Sequence, residues 1–481
     1  MSDSLHESKP APESVPAKRS LSRRQFLTMA GAAGAALAAG LVDHKVAFAR
    51  PAKQDKVLLR AMTIGNPQRA ETFEKVLGGF REANPNINLE LVPVAAAEWD
   101  AYLAKIATIL ASGQQLDSVE VGTEGQQTFS AGGIIRPLDE LATNDAAEIQ
   151  DYFSDVNPVF IEGVMYQGSL YNLPNLWAAA GIYYNKKLFD QAGVAYPADN
   201  WTVEDFAAAA SAIRKLGDDI YGFAWANRHW GGFVPWSFNN GTNVLAEKHA
   251  EGGEWLWDKF YSGLSAEDRA KRGGGYYWDA STANDPANIE ALEMLQSEAF
   301  TDGISYMSDI NSVLSAFETG KVGMIISHRA WVSRFKAAGL TPDDYDVTYM
   351  PMWKTQKHQY GASALAITTL SAQPDSAWKL MKYLTSKDVQ FAYVSGGVHT
   401  ATRRSVMADP KQHEGLGPNN WKAFYGMVDE TDAAPIPAPA QNKDFTNIFT
   451  KYIGLAMANE MPAKDALEAM HGELNTMLGV S

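Results

Sequence analysis

The sequence predicts an α/β fold, a mainly parallel sheet flanked by helices, in a chain of two domains. Three observations predict it. Between residues 57 and 121, short apolar runs alternate with amphipathic segments in the order strand–helix–strand–helix–strand, and parallel neighbours need such crossover helices. The same alternation returns between residues 201 and 385. Finally, 481 residues, 46% hydrophobic and 20% charged, are globular in composition but too many for one ordinary domain.

Residues 1–49 stand outside that pattern. A polar, Pro/Ser-rich start leads to Ser22-Arg23-Arg24-Gln25-Phe26-Leu27, a weakly apolar Ala/Gly run over 29–42, and Lys45. Ala47-Phe48-Ala49 then sets small residues where a signal peptidase needs them. The apolar run is too short to span a bilayer. A Ser, two arginines, any residue and Phe-Leu resemble the twin-arginine export signal, with cleavage expected after Ala49. No later segment reaches about 18 consecutive apolar residues. Without a cysteine there is no lipid-modified N-terminal Cys, so a soluble protein of the periplasm is expected.

Beyond the signal the elements follow in order. Residues 57–62 form an apolar run that ends in the loop Thr63-Ile64-Gly65-Asn66-Pro67-Gln68. Phe73, Val76, Leu77 and Phe80 then repeat as one face of a helix over 69–84, and Asn84-Pro85 stops it. Residues 87–94 alternate as a strand. Residues 98–112 form a second helix, closed by Gly113, and 117–121 a third apolar run. Later, Thr202 opens a helix with Asp205 three residues on as its cap partner. A helix over 311–319 is closed by Gly320 and followed by the strand 322–326. Residues 362–368 are apolar, 375–385 and 463–478 are amphipathic helices, and the Pro/Ala stretch 433–440 reads as a rigid extended link.

Composition and motifs narrow the chemistry. The formal net charge is −15 with no long run of one sign, which argues against nucleic acid and anionic membrane as partners. The absence of cysteine excludes disulfides, thiolate metal sites and a cysteine nucleophile. There is no Walker loop, no dinucleotide fingerprint, no H-E-x-x-H and no nucleophile elbow, so no catalytic residue, metal or cofactor is expected. One stretch calls for a ligand. Residues 225–241, WANRHWGGFVPWSFNNG, crowd aromatics among glycines and asparagines. Indole faces stack on the C–H faces of sugar rings while amides meet hydroxyls in the ring plane, and glycine lets backbone approach. Trp230, Trp236, Asn239 and Asn240 fit that division of labour. Phe223 and Trp225, at alternate positions of a strand-like run, read as core.

Three further segments point to a family: GGIIRPLDEL (132–141), YNLPNLWAAAGIYYNKKLFDQAGV (171–194) and AFETGKVGMIISHRAW (316–331). In that order they resemble the extracellular solute-binding proteins of ABC importers, in the class that includes the maltose-binding protein. The resemblance implies two α/β lobes joined by crossing segments, with ligand in the cleft between them. The first lobe would be 51–175 plus 364–400 and the second 178–362 plus 405–481, with crossings at 173–181, 361–366 and 396–403. It implies ligand contacts from Asn66, Gln68, Thr123, Glu124, Trp177, Trp230, His328, Trp331, Tyr360, Gly361 and Asp444, with Asn239 added from the aromatic stretch. Trp230 and Trp331 would stack on opposite sides of one sugar ring. The expected ligand is a neutral sugar, oligosaccharide or polyol, taken up by a monomer and handed to the permease subunits of an ABC transporter. The alternatives are a secreted carbohydrate-active enzyme, or a receptor for an anionic solute such as a phosphorylated polyol held by Arg228, Arg329 and Lys354.

Overall fold

The computed structural model describes residues 56–480 except 66, 96–98 and 301–302, so the proposed export signal lies outside the described residues. The chain opens with β1 (Val57–Ile64), the helix Pro67–Ala83, β2 (Ile87–Val94), the helix Trp99–Ala111 and β3 (Ser118–Gly122). β1 runs parallel to both β2 and β3, as the alternating pattern requires. After the helix Thr123–Ala131 and several short helices comes a hairpin of β4 (Met165–Tyr166) and β5 (Ser169–Leu170), then β6 (Leu176–Ala179). β7 (Gly181–Asn185) and β8 (Tyr221–Ala226) begin a second sheet. A ribbon of β9 (Leu245–His249) and β10 (Tyr276–Ser281) follows, then β11 (Ser305–Ser308), β12 (Val322–Ser327) and β13 (Tyr345–Thr348). β14 (Lys357–Ile367), β15 (Thr400–Ala401) and β16 (Asp432–Pro435) complete the strands.

These strands make two large sheets. The first has the order β15-β6-β14-β3-β1-β2, with β16 beside β14; the second has the order β11-β8-β12-β7-β13. Each sheet is parallel at one end, over β3-β1-β2 and β11-β8-β12, and antiparallel towards the other: β14 opposes β3 and β6, and β7 opposes β12 and β13. The helix Val203–Arg214 begins with the expected Thr202–Asp205 capping box. Phe223 and Trp225 are buried in the second core. The helices Asn442–Met457 and Ala463–Leu478 pack on each other and onto the helix Pro286–Phe300.

The strand pairing corrects the expected crossings. Ala178 and Ala179 belong to β6 of the first sheet, so the first crossing is compressed to Ala180. All of β14 lies in the first sheet, from Lys357 beside Asp432 to Ile367 beside Ser118. Residues 396–403 do not cross, because β15 pairs with β6. The return to the second core comes after β16, through residues 436–440. Of residues 405–435, expected on the second lobe, 432–435 thus join the first sheet, whereas Asn420 and Phe424 keep contact with the second through Asp346, Val347 and Tyr183. The register carries the reason: β16 is hydrogen-bonded in parallel to β14 over four residue pairs.

The β9–β10 ribbon departs further from its place in the sequence. It leaves the second core but docks on the first. Glu162, wholly buried, accepts from His249 Nδ1 at 2.6 Å, Arg272 Nη1 at 2.9 Å and the Gly273 amide at 2.7 Å. Phe153 stacks on Phe260 with ring centroids 4.1 Å apart. Gly168 donates its N–H to the Gly274 carbonyl, an approach so close that a Cβ at Gly274 would stand 2.6 Å from the Gly168 nitrogen.

Candidate ligand site between the two lobes

The first-lobe wall is built at the C-terminal ends of β1 and β3, where open α/β sheets place ligands. Glu120 is the one carboxylate in the fully buried strand β3 and lies between Val119 and Val121. It pairs with Arg69 Nη2 at 2.5 Å and accepts from Ser363 Oγ at 3.2 Å and the Ile64 amide at 3.3 Å. Arg69 also donates to the Ile64 carbonyl and the Tyr393 hydroxyl. Burial pulls the Arg69 pKa down, but Glu120 and Tyr393 outweigh it and leave the guanidinium more basic than usual. One turn on, Thr123 opens the helix Thr123–Ala131 and donates from Oγ1 to Glu124 Oε2 at 3.2 Å. Trp99 closes against this corner: a Cβ at Gly122 would stand 2.6 Å from its ring.

The second-lobe wall comes from the loop after β8 and the turn after β12. The guanidinium of Arg228 lies 5.3 Å from the Trp230 ring, and Trp230 packs edge-on against His328 at 4.7 Å. His328 in turn lies 5.5 Å from Trp331. The Ala330 amide donates to His328 Nδ1 at 3.3 Å, which puts the proton of the neutral ring on Nε2. Burial, and then the nearby Arg228 charge, lower the His328 pKa to about 3. The Trp331 Nε1 is buried without a partner. His399, approaching from the first lobe, is kept neutral by burial and by the charges of Arg69 and Arg329.

The two walls touch. A Cβ at Gly361 would stand 3.2 Å from Trp230 Nε1 and 3.3 Å from Thr123 Oγ1, so the bare backbone of β14 lets the indole close onto the first lobe. Gln127 Nε2 donates to the Tyr276 carbonyl, and Thr128 Oγ1 to the Ala440 carbonyl at 2.9 Å.

Thr123, Glu124, Trp230, His328, Trp331 and Gly361 are therefore brought together or into adjoining positions. Others are not. Trp177 is core: its Nε1 donates to the Ala401 carbonyl and its ring packs on Phe160. Tyr360 points away from Gly361, as neighbours on a strand must, and its hydroxyl donates to the Val159 carbonyl at 2.6 Å. Asn239 is fully buried, holding the Pro235 and Lys357 carbonyls. Asn240 is spent on the Ala287 carbonyl and Glu290, and Trp236 packs on Phe206 and Phe223. Asp444 is exposed in the first turn of the helix Asn442–Met457. Asn66 lies outside the described residues, as does the side chain of Gln68. Trp230 and Trp331 do not face each other as a ring pair among the described residues; each packs on His328. Of the cations considered for an anionic ligand, Arg329 is buried against the carbonyls of Val394, His399 and Gln412, and Lys354 pairs with Glu290.

Several groups escaped the sequence reading: the Arg69–Glu120 pair, Trp99, Gln359, Ser363 and His399. One signal was present, the carboxylate of Glu120 between Val119 and Val121, since a buried charge demands a partner.

A family model of bacterial extracellular solute-binding proteins matches residues 66–391, most of the described chain. The chain belongs to that family. A Brucella abortus (strain 2308) chain with a general binding-protein name is 29% identical over 332 residues, 66% of this chain and 69% of that one. The mannitol-binding protein of Pseudomonas aeruginosa is 31% identical over 155 residues, 31% of this chain and 33% of that one. An ABC substrate-binding protein from Listeria monocytogenes in complex with cycloalternan superposes with a TM-score of 0.72 at 17% identity, covering 89% of this chain and 100% of that one. The fold is thus the two-lobed one of such receptors, and the family is one of binding proteins. Among the described residues no helix is long and apolar enough to cross a membrane, and no cluster of His, Asp or Glu could hold a metal ion.

Proposed function

We propose that the protein is the exported receptor of an ABC importer and captures a neutral sugar, oligosaccharide or polyol between its lobes. One observation carries the ligand class. The groups that meet at the cleft are indoles, a neutral imidazole, a hydroxyl, a carboxylate and the Arg228 guanidinium over Trp230, a set that stacks on C–H faces and reads hydroxyls. Local similarity to a mannitol-binding protein supports a polyol. The burial of Arg329 against backbone carbonyls and the surface pairing of Lys354 with Glu290 weigh against an anionic solute.

In this reading Arg23-Arg24 direct export of the folded chain, cleavage follows Ala49, and the monomer works in the periplasm. The first lobe carries β1–β3, β6 and β14–β16, and the second carries β7, β8 and β11–β13. Ligand binding draws the lobes together and offers their joint face to the permease subunits. A thermal-shift screen of residues 50–481 against sugars, polyols and sugar phosphates tests the ligand class. Neutral compounds are expected to raise the melting temperature, and a shift with phosphorylated compounds alone overturns the reading. Changing both arginines to lysine should strand uncleaved precursor in the cytoplasm; continued secretion would overturn the export route.

A further inference from the structure

β14 forms the floor between the two walls, and its alternation sorts side chains into two sets. His358 and Tyr360 face away from the cleft: the His358 ring meets the Met350 amide and Thr431 Oγ1, and Tyr360 reaches Val159. Gln359, Gly361 and Ser363 lie on the other face. Ser363 donates to Glu120 on the first-lobe wall, and Gly361 lies beneath Trp230. Gln359 reaches the second-lobe loop, where its Oε1 accepts from the Gly231 amide at 3.3 Å.

That last bond fixes the orientation of the amide. A backbone N–H can be met only by the oxygen end, so the NH2 end is the one left over. Gln359 is fully buried and its Nε2 has no partner. Buried donors without acceptors are rare in folded proteins, because water that once satisfied them is lost with nothing in return. The neighbouring residue explains the arrangement. Gly231 holds a left-handed φ of +64°, which directs the chain so that Trp230, one residue earlier, can lie against Gly361.

We propose that Gln359 is a specificity-determining residue of the ligand site. Its Oε1 pins Gly231, and thereby Trp230, while its Nε2 donates to a lone pair on one ligand hydroxyl oxygen. The inference rests on the reading of the protein as a sugar or polyol receptor and deepens it: the ligand must carry a free oxygen at that position. An analogue lacking the oxygen leaves the buried donor unpaired and is rejected.

The test is a titration of mannitol, ribitol and D-fructose, and of the monodeoxy analogues of whichever binds, against wild type, Gln359→Glu and Gln359→Met. Gln359→Glu keeps an acceptor for Gly231 and, when ionised, removes the donor; Gln359→Met removes both whatever the pH. Wild type should lose roughly 10- to 100-fold in affinity for one deoxy analogue, the effect of one unpaired buried group. Both variants should bind the parent compound correspondingly weakly and no longer distinguish it from that analogue. A merely structural Gln359 would lower the urea midpoint yet leave the discrimination intact, and that result overturns the inference. Should Gln359→Glu fail to fold, Gln359→Met alone decides, by the presence or absence of discrimination. Should none of the three bind, a neutral compound that does bind in the thermal-shift screen takes their place; if none binds, the ligand class itself is overturned, and the inference with it.

Discussion

Truncating three tryptophans separates core from site within the aromatic stretch. Trp225 is 1% exposed, in the second core on β8. Replacing it with alanine empties the space of a buried indole and should cost about 3–5 kcal/mol of stability, as large-to-small core changes do. Its indole N–H has no partner, so an unsatisfied donor leaves with it, which favours the lower part of that range. Trp230 is half-buried at the margin of the second core, and it meets Gly361 across the cleft with His328 and Arg228 beside it. Trp230→Ala should change stability by less than about 1 kcal/mol. Binding should fall by about 1–3 kcal/mol, the scale for burying a large apolar side chain, or roughly 5- to 150-fold. Trp331, half-buried with Arg334 5.8 Å from its ring, should show both effects in part. Urea melts followed by circular dichroism and calorimetric titration with a ligand from the screen measure the two quantities separately. Early melting of Trp230→Ala with unchanged affinity would refute the reasoning and return the whole stretch to the core.

Two further perturbations probe the frame around the site. Burial lowers the pKa of both His229 and His358 to about 3, so below the unfolded value near 6.5 the unfolded chain binds more protons and stability falls with pH. Each should cost about 2 kcal/mol by pH 5, and His358→Gln should flatten the decline between pH 6.5 and 5; a melting temperature constant across that window contradicts the burial argument. Glu162→Gln removes the charge that Arg272 and His249 share, and should destabilise by about 2–4 kcal/mol, discounted from the fully buried case because the His249 side chain is 37% exposed; an unchanged urea midpoint would show that the ribbon's docking does not rest on that cluster.

Local physics made much of the fold legible. Apolar alternation gave away β1 to β3, since a parallel pair must be separated by a helix, and the Thr202–Asp205 box formed because both partners lie within one turn. Misplacement came where a residue type has two uses. Gly396 and Gly397 hold φ values of +82° and +78°, freedom that suits a hinge, but they serve a turn between the helix Lys387–Val394 and β15. The prolines of 435–439 suggest a stiff link, yet Asp432–Pro435 extends the sheet at its edge, where a missing N–H costs no ladder bond. In the site the same ambiguity fell on aromatics and amides. Trp177, Trp236 and Asn239 have the chemistry of a sugar site, and nothing in their spacing tells that each is turned inward.

What no local pattern could report is a contact between distant segments, and the β9–β10 ribbon shows the consequence. Its chain position assigns it to the second lobe, but the carboxylate that organises it, Glu162, lies more than eighty residues earlier, on the first. At its other end, Ser281 is tied by its amide to Asn475 of the last helix, in the second core. The pairing of β9 with β10 loses register between Trp278 and Ser281, between the end docked on the first lobe and the end held by the second. A bulge twists a ribbon and leaves a residue unpaired, so it is the part that yields most readily to rotation. Sliding the docked half would bare Phe260 and Glu162 together, whereas bending at the bulge keeps both covered. In the proposed opening and closing of the cleft, this strap is expected to act beside the three chain crossings, with Asp279 and Ala280 as its pivot.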